Sequence, residues 1–141
     1  CSRADATQPP TQQDFDTVMH ANVLGAMQAI PQVAPLLAPG GRFGFVSSVM
    51  GRIARVDNSR AWVYRTSKAA LNMAVASAQS AWPNAIMVCL HPGWVQTDMG
   101  GGAAPVTPEA SATGLRRVMA ALTPADRGAY LQYDGQRFDT W

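Results

Sequence analysis

The sequence predicts an α/β fold, the later part of a doubly wound parallel sheet with about three strands and flanking helices. Two β-leaning runs, 42–47 and 85–91, are separated by a long helix-period segment, and a crossover of more than about ten residues is what parallel pairing requires. The second run, Ala-Ile-Met-Val-Cys-Leu-His, is nearly all apolar, which suits a strand covered on both faces. A complete doubly wound sheet has about six strands. The chain therefore reads as part of one.

The elements follow in order. Residues 1–10 are polar, end in two prolines and read as loop. Thr11 can cap a helix with Asp14 in its first turn, and Phe15, Met19, Ala26, Ile30, Val33 and Leu37 then recur at helical spacing with Asn22 on the same stripe. Pro31 and Pro35 each remove a backbone donor, so a kink or restart is expected near Ala29 before Pro39-Gly40-Gly41 ends the element. The strand at 42–47 comes next, then a polar stretch at 51–60 and a helix over 61–82. After the strand at 85–91, Thr107-Pro108-Glu109 supplies a cap, a proline at the first helical position and an acid in the first turn, predicting a helix to about Leu122. A strand at 128–133 completes the alternation, with right-handed connections expected.

Composition narrows the function. The chain has 141 residues, 48% hydrophobic and 14% charged, enough for one domain over 1–141 with a core. A net charge of +2 without a basic run nominates neither nucleic acid nor a membrane surface as partner. Cys1 and Cys89 form no Cys-x-x-Cys pair or Cys/His cluster, so neither a disulfide framework nor a metal site is expected. No apolar stretch approaches the ~18 residues of a membrane span, and no apolar signal core opens the chain. The expectation is a soluble protein of the cytoplasm.

Ten of the 11 basic residues are arginines, leaving Lys68 as the single lysine. Tyr64 stands four residues before it at the start of the 61–82 helix, so the two side chains share a face, and that stripe continues through Leu71, Val75, Ala78 and Trp82. A phenol of pKa about 10 needs a shift of roughly three units, about 4 kcal/mol, to exchange a proton readily at neutral pH. An ammonium about 4 Å away supplies about that much at an effective dielectric of about 20. Ligands of open α/β sheets sit beyond the carboxyl ends of the strands, where this chain delivers Ser47-Ser48 and His91-Pro92-Gly93.

Four stretches, Asn22-Val23-Leu24-Gly25, Val46-Ser47-Ser48-Val49-Met50-Gly51, Tyr64-Arg65-Thr66-Ser67-Lys68 and His91-Pro92-Gly93-Trp94-Val95-Gln96-Thr97-Asp98-Met99, resemble the short-chain dehydrogenase/reductase family in identity and order. Tyr133-Asp134-Gly135, with Trp141 beyond it, is similar to the last strand of its small C-factor-like members. The resemblance covers nearly the whole chain after about Thr11. It implies a Rossmann-like fold and hydride transfer between NAD or NADP and a small-molecule carbonyl or alcohol. By position Tyr64 is the general acid/base, Lys68 lowers its pKa and holds the nicotinamide ribose, Ser48 binds the substrate oxygen, and Asn22 holds a water in a relay to Lys68. Pro92, Gly93, the Val95 backbone and the Thr97 hydroxyl are expected along the nicotinamide. The family's Gly-x-Gly-x-x-Gly turn does not occur in the sequence, so the chain reads as the C-terminal portion of such an enzyme and is expected to bind the dinucleotide weakly by itself.

Two other readings compete. Ser48, His91 and Asp98 are the residue types of a hydrolase triad, though no Gly-x-Ser-x-Gly elbow surrounds the serine. A non-catalytic remnant that dimerises or binds a ligand is the other. A row of mostly small residues on the 61–82 helix, Val63, Ser67, Ala70, Ala74, Ser77 and Ala81, together with an unpaired sheet edge, leads to the expectation of a homodimer.

Overall fold

A computed structural model describes residues 5–141; residues 1–4, the start of the expected N-terminal loop, lie outside the described residues. Helix α1 (Gln12–Met19) begins where Thr11 Oγ1 accepts the Asp14 N–H at 3.2 Å. It passes through a π-helical turn at His20–Leu24 into α2 (Gly25–Val33), and a 3₁₀ turn at Ala34–Leu36 ends the run. The irregularity thus lies at Asn22 and not near Ala29. Pro31 stays inside α2, and the carbonyl its ring leaves without a donor belongs to Met27, an exposed residue. The widened turn at His20–Leu24 instead changes the helix phase where Asn22 faces the rest of the fold.

Strand β1 (Arg42–Val46) leads through two 3₁₀ turns, Val49–Gly51 and Ile53–Arg55, to α3 (Trp62–Ala81). Strand β2 (Ile86–His91), α4 (Pro108–Ala121) and β3 (Tyr130–Gln132) follow. The sheet order is β1-β2-β3, all parallel, with Phe45 opposite Cys89 and Leu90 opposite Leu131. Its carboxyl ends therefore open on one edge. The third strand is shorter than the expected 128–133 because Gly128 sits in left-handed backbone (φ 70°) and the Ala129 N–H is spent on the turn at Asp126. Beyond its other end the Tyr133 N–H still reaches the His91 carbonyl at 2.9 Å.

All six residues of β2 are buried, and the period-2 alternation of a strand explains why it reads as one apolar run. Met87 and Cys89 face α3, packing with Leu71, Val75, Ile30 and Phe45, whereas Ile86, Val88 and Leu90 face Val118 and Leu122 around α4. Each side of the central strand needs its own apolar cover. Among the described residues, no helix is long and apolar enough to cross a membrane.

Candidate active site

The carboxyl edge of the sheet holds a cleft of about 630 Å³. Ser48, Tyr64, Pro92, Gly93, Val95 and Thr97 all line it, with Met50, His91, Trp94, Met99, Ser111 and Leu115 among the other walls. Ser48 arrives at the end of β1 and caps the Val49–Gly51 turn, its Oγ accepting the Met50 N–H at 3.2 Å. Tyr64 enters from the first turn of α3, just after Ala61, whose φ of 53° starts the helix in left-handed backbone. Burial pushes the Tyr64 phenol above the ordinary tyrosine range, and a hydrogen bond with Ser48 works against that shift.

Lys68 lies behind this pair. Its Nζ donates to the Val46 carbonyl at 3.0 Å and stands 5.6 Å from the centre of the Tyr64 ring. Burial holds the ammonium below the ordinary lysine range, with Cys89 opposing. Burial and Ser48 are thus the influences on the Tyr64 phenol, and the Lys68 ammonium is engaged with the β1 backbone. Asn22 does not line the cleft. Its Nδ2 donates to Ser67 Oγ at 3.0 Å, and Ser67 in turn donates to the Tyr64 carbonyl at 2.8 Å, so the π-helical turn supports the first turn of α3 beside Lys68.

In the 92–97 segment, a parallel bridge joins Val95 to Val106 through the Trp94 carbonyl and the Gln96 N–H, leaving the Val95 amide itself outside the ladder. The Thr97 hydroxyl is engaged locally, accepting the Gly100 N–H at 3.1 Å and donating to the Val95 carbonyl at 3.4 Å. Ser111 Oγ donates to the Pro92 carbonyl at 2.6 Å and ties α4 to the strand end. Nothing in an Ala- and Ser-containing helix marks that serine in advance; only the tertiary contact does.

The hydrolase constellation does not assemble. His91 Nδ1 accepts the Val49 N–H at 3.3 Å, the Ser48 hydroxyl faces Met50, and Asp98 is not part of the cleft. Burial lowers the His91 pKa to about 4, Asp134 opposing, so the ring is neutral at pH 7 and serves as an acceptor that pins the turn next to Ser48. In the unfolded chain the same ring titrates near its ordinary value of about 6.5. A lowered folded pKa means stability is fully present above about pH 6.5 and falls toward pH 4, by roughly 3 kcal/mol from this group. Urea unfolding at pH 7 and pH 4.5 should show this loss shrinking in His91→Gln; an identical loss in both proteins would count against it.

The profile of the family described as short chain dehydrogenase matches residues 2–105. C-signal of Myxococcus xanthus is 41% identical over 126 residues, covering 86% of this chain and 76% of that protein. Among solved structures, the carbonyl reductase Sniffer of D. melanogaster superposes with a TM-score of 0.89 at 29% identity, covering 100% of this chain and 62% of that one. The NADPH-bound carbonyl reductase from chicken fatty liver superposes with a TM-score of 0.79 at 27% identity, over 100% of this chain and 64% of that one. The chain thus spans a little over three-fifths of these solved relatives.

Proposed function

Because the chain belongs to the short chain dehydrogenase family, we propose that it forms the catalytic part of an NAD- or NADP-dependent oxidoreductase acting on a carbonyl or alcohol. The observation that carries this reading is the meeting of the Ser48 and Tyr64 hydroxyls in one cleft beside Pro92 and Gly93 at the carboxyl edge of the sheet. The residues fit the nicotinamide end of the cofactor. Val95 lines the cleft, and its amide, outside the strand ladder, suits a carboxamide, while Lys68 retains donors beyond the one spent on Val46 for a ribose hydroxyl. The Thr97 hydroxyl lies alongside. The pyrophosphate is different, since these 141 residues contain no Gly-x-Gly-x-x-Gly turn to cradle it.

When bound, the reduced nicotinamide supplies a hydride to the carbonyl carbon. Tyr64, held protonated by burial, donates its phenolic proton to the carbonyl oxygen as that carbon is reduced, giving the alcohol; in the reverse direction the phenolate accepts it. Ser48 donates a hydrogen bond to the same oxygen. Lys68 supports Tyr64 from behind, returning positive charge as the phenol loses its proton, and Asn22 braces that turn through Ser67. The test is direct: the complete gene product, mixed with NADH or NADPH and an aldehyde or ketone, should oxidise the cofactor with loss of its 340 nm absorbance. No turnover with either cofactor across aldehydes and ketones would sink the reading.

The same reading includes a homodimer through α2 and α3. Ala70, Ala74, Ser77 and Ala81 line a groove of about 590 Å³ against Met27 and Ile30, whereas Val63 and Ser67 of the expected small-residue row are buried in the chain's own fold. Met27 and Met73 border it and are exposed, an apolar face suited to a two-fold helix contact. Sedimentation velocity at micromolar concentration should give a dimer that Ala74→Arg converts to monomer. A wild-type monomer would remove this part of the proposal.

A further inference from the structure

We infer that the cleft is built for an uncharged, apolar aldehyde or ketone, recognised by hydrogen bonds to its one reacting oxygen and excluded when it carries a carboxylate or phosphate. The inference rests on the oxidoreductase reading and deepens it to a substrate class.

The polar groups of the cleft are nearly all committed elsewhere. Ser47 Oγ donates to Asn72 Oδ1 at 2.6 Å, Ser111 is spent on the Pro92 carbonyl, Thr97 on its own turn, and His91 Nδ1 on the Val49 N–H. The Trp94 indole N–H is also engaged, donating to the Gly100 carbonyl at 2.8 Å. Beside the Nε2–H of His91, what remains with uncommitted side-chain hydrogen-bonding capacity on the lining is the Ser48 and Tyr64 pair. Two hydroxyls converging at one place suit one substrate oxygen.

The rest of the wall is apolar, and none of the 17 residues lining the cleft is Arg, Lys, Asp or Glu. The nearby cations stand outside the lining, Arg116 being exposed on α4 next to Leu115. Lys68 is bound to the Val46 carbonyl behind Tyr64. Arg52 donates to the Thr140 carbonyl at 3.0 Å and to its hydroxyl at 2.6 Å, with its guanidinium 4.5 Å from the centre of the Phe138 ring. Arg65 is held by the Arg60 carbonyl and Asp57. An anionic substituent on the substrate would meet Val49, Met50, Trp94, Met99 or Leu115, losing its water without gaining a partner. An apolar body gains from the same contacts.

The experiment compares 4-methylbenzaldehyde with 4-carboxybenzaldehyde, similar in size and differing in charge, using the complete gene product and its preferred cofactor. The neutral aldehyde should have a kcat/KM about a hundredfold higher, since burying an unpaired carboxylate is far costlier than losing one apolar contact. Ala112→Arg, at an exposed position of the cleft wall on α4, should narrow that gap at least about tenfold by giving the carboxylate a partner; Met99→Arg in the exposed loop repeats the test should the helix variant fold poorly. Equal or better reduction of the carboxylate by the wild-type protein would overturn the inference. Should neither aldehyde turn over, the function reading fails and binding decides this one. Quenching of Trp94 fluorescence, isolated by comparison with Trp94→Phe, should then report tighter binding of 4-nitrobenzyl alcohol than of 4-nitrobenzoate, and equal affinities would overturn it.

Discussion

Tyr64→Phe is expected to lower carbonyl reduction by about a thousandfold while leaving cofactor affinity within a factor of about three, because the change removes one hydroxyl and little volume. Ser48 cannot replace it: its hydroxyl is a poor acid at neutral pH, and its oxygen already accepts the Met50 N–H. Two consequences separate this from a packing defect. Burial raises the Tyr64 phenol, so the acid form needed for reduction predominates at neutral pH, whereas alcohol oxidation needs the phenolate and should climb with pH. That climb should vanish in the variant. In addition, the ring remains, so the urea midpoint should barely move, Tyr64 being only partly buried at the cleft. Steady-state kinetics in both directions with cofactor titration makes the measurement, and a variant that keeps more than about a tenth of wild-type turnover would remove Tyr64 from the role of proton donor.

Much of the fold is legible in the sequence because its signals are local. The run at 86–90 is apolar throughout because Met87 and Cys89 serve one layer and Ile86, Val88 and Leu90 the other. Thr107, Pro108 and Glu109 mark the start of α4 because a helix leaves its first amides unsatisfied, and the Thr107 hydroxyl accepts one of them. The break in the first helical run was not legible in the same way. Proline chemistry points to Ala29, whereas the widened turn at His20–Leu24 carries Asn22 in long-range contact with Ser67, which periodicity within one segment does not register. The site divides likewise. Tyr64 and Ser48 reach the cleft as the strand ends and the helix spacing imply, but helix spacing alone places Lys68 beside Tyr64 and says nothing of the Val46 carbonyl that its ammonium also reaches. His91 is missed as a pin for the Ser48 turn because its partner is a backbone amide 42 residues away in sequence.

Gly51→Ala is expected to destabilise the fold by about 1–3 kcal/mol and to lower turnover by up to about a hundredfold, although one methyl group is all it adds. The position does not need a glycine for its backbone angles, since Gly51 is not among the residues with positive φ. The demand is steric. A Cβ there would lie 2.8 Å from the Lys68 carbonyl carbon, 2.9 Å from the Ala69 nitrogen and 2.9 Å from Lys68 Cβ, atoms of a helix backbone and its root that cannot rotate away. Either the Val49–Gly51 turn lifts from α3 or α3 shifts, and the Gly51 N–H donates to the Ser48 carbonyl at 2.8 Å, so displacement of the turn is passed to Ser48. Because Ser48 and Tyr64 come from the two elements being wedged apart, a shift of about an ångström falls on the distance between the two hydroxyls, where positioning matters most. Gly40→Ala is the control. Gly40 has a φ of 76° with nothing within 4 Å of an added Cβ, so it should cost stability through backbone strain, about 1 kcal/mol, and leave kcat unchanged. Urea unfolding and kcat measured well below each melting temperature distinguish the two: a Gly51→Ala protein that loses stability like the control but retains full turnover would show that the turn is not what holds Ser48 against Tyr64.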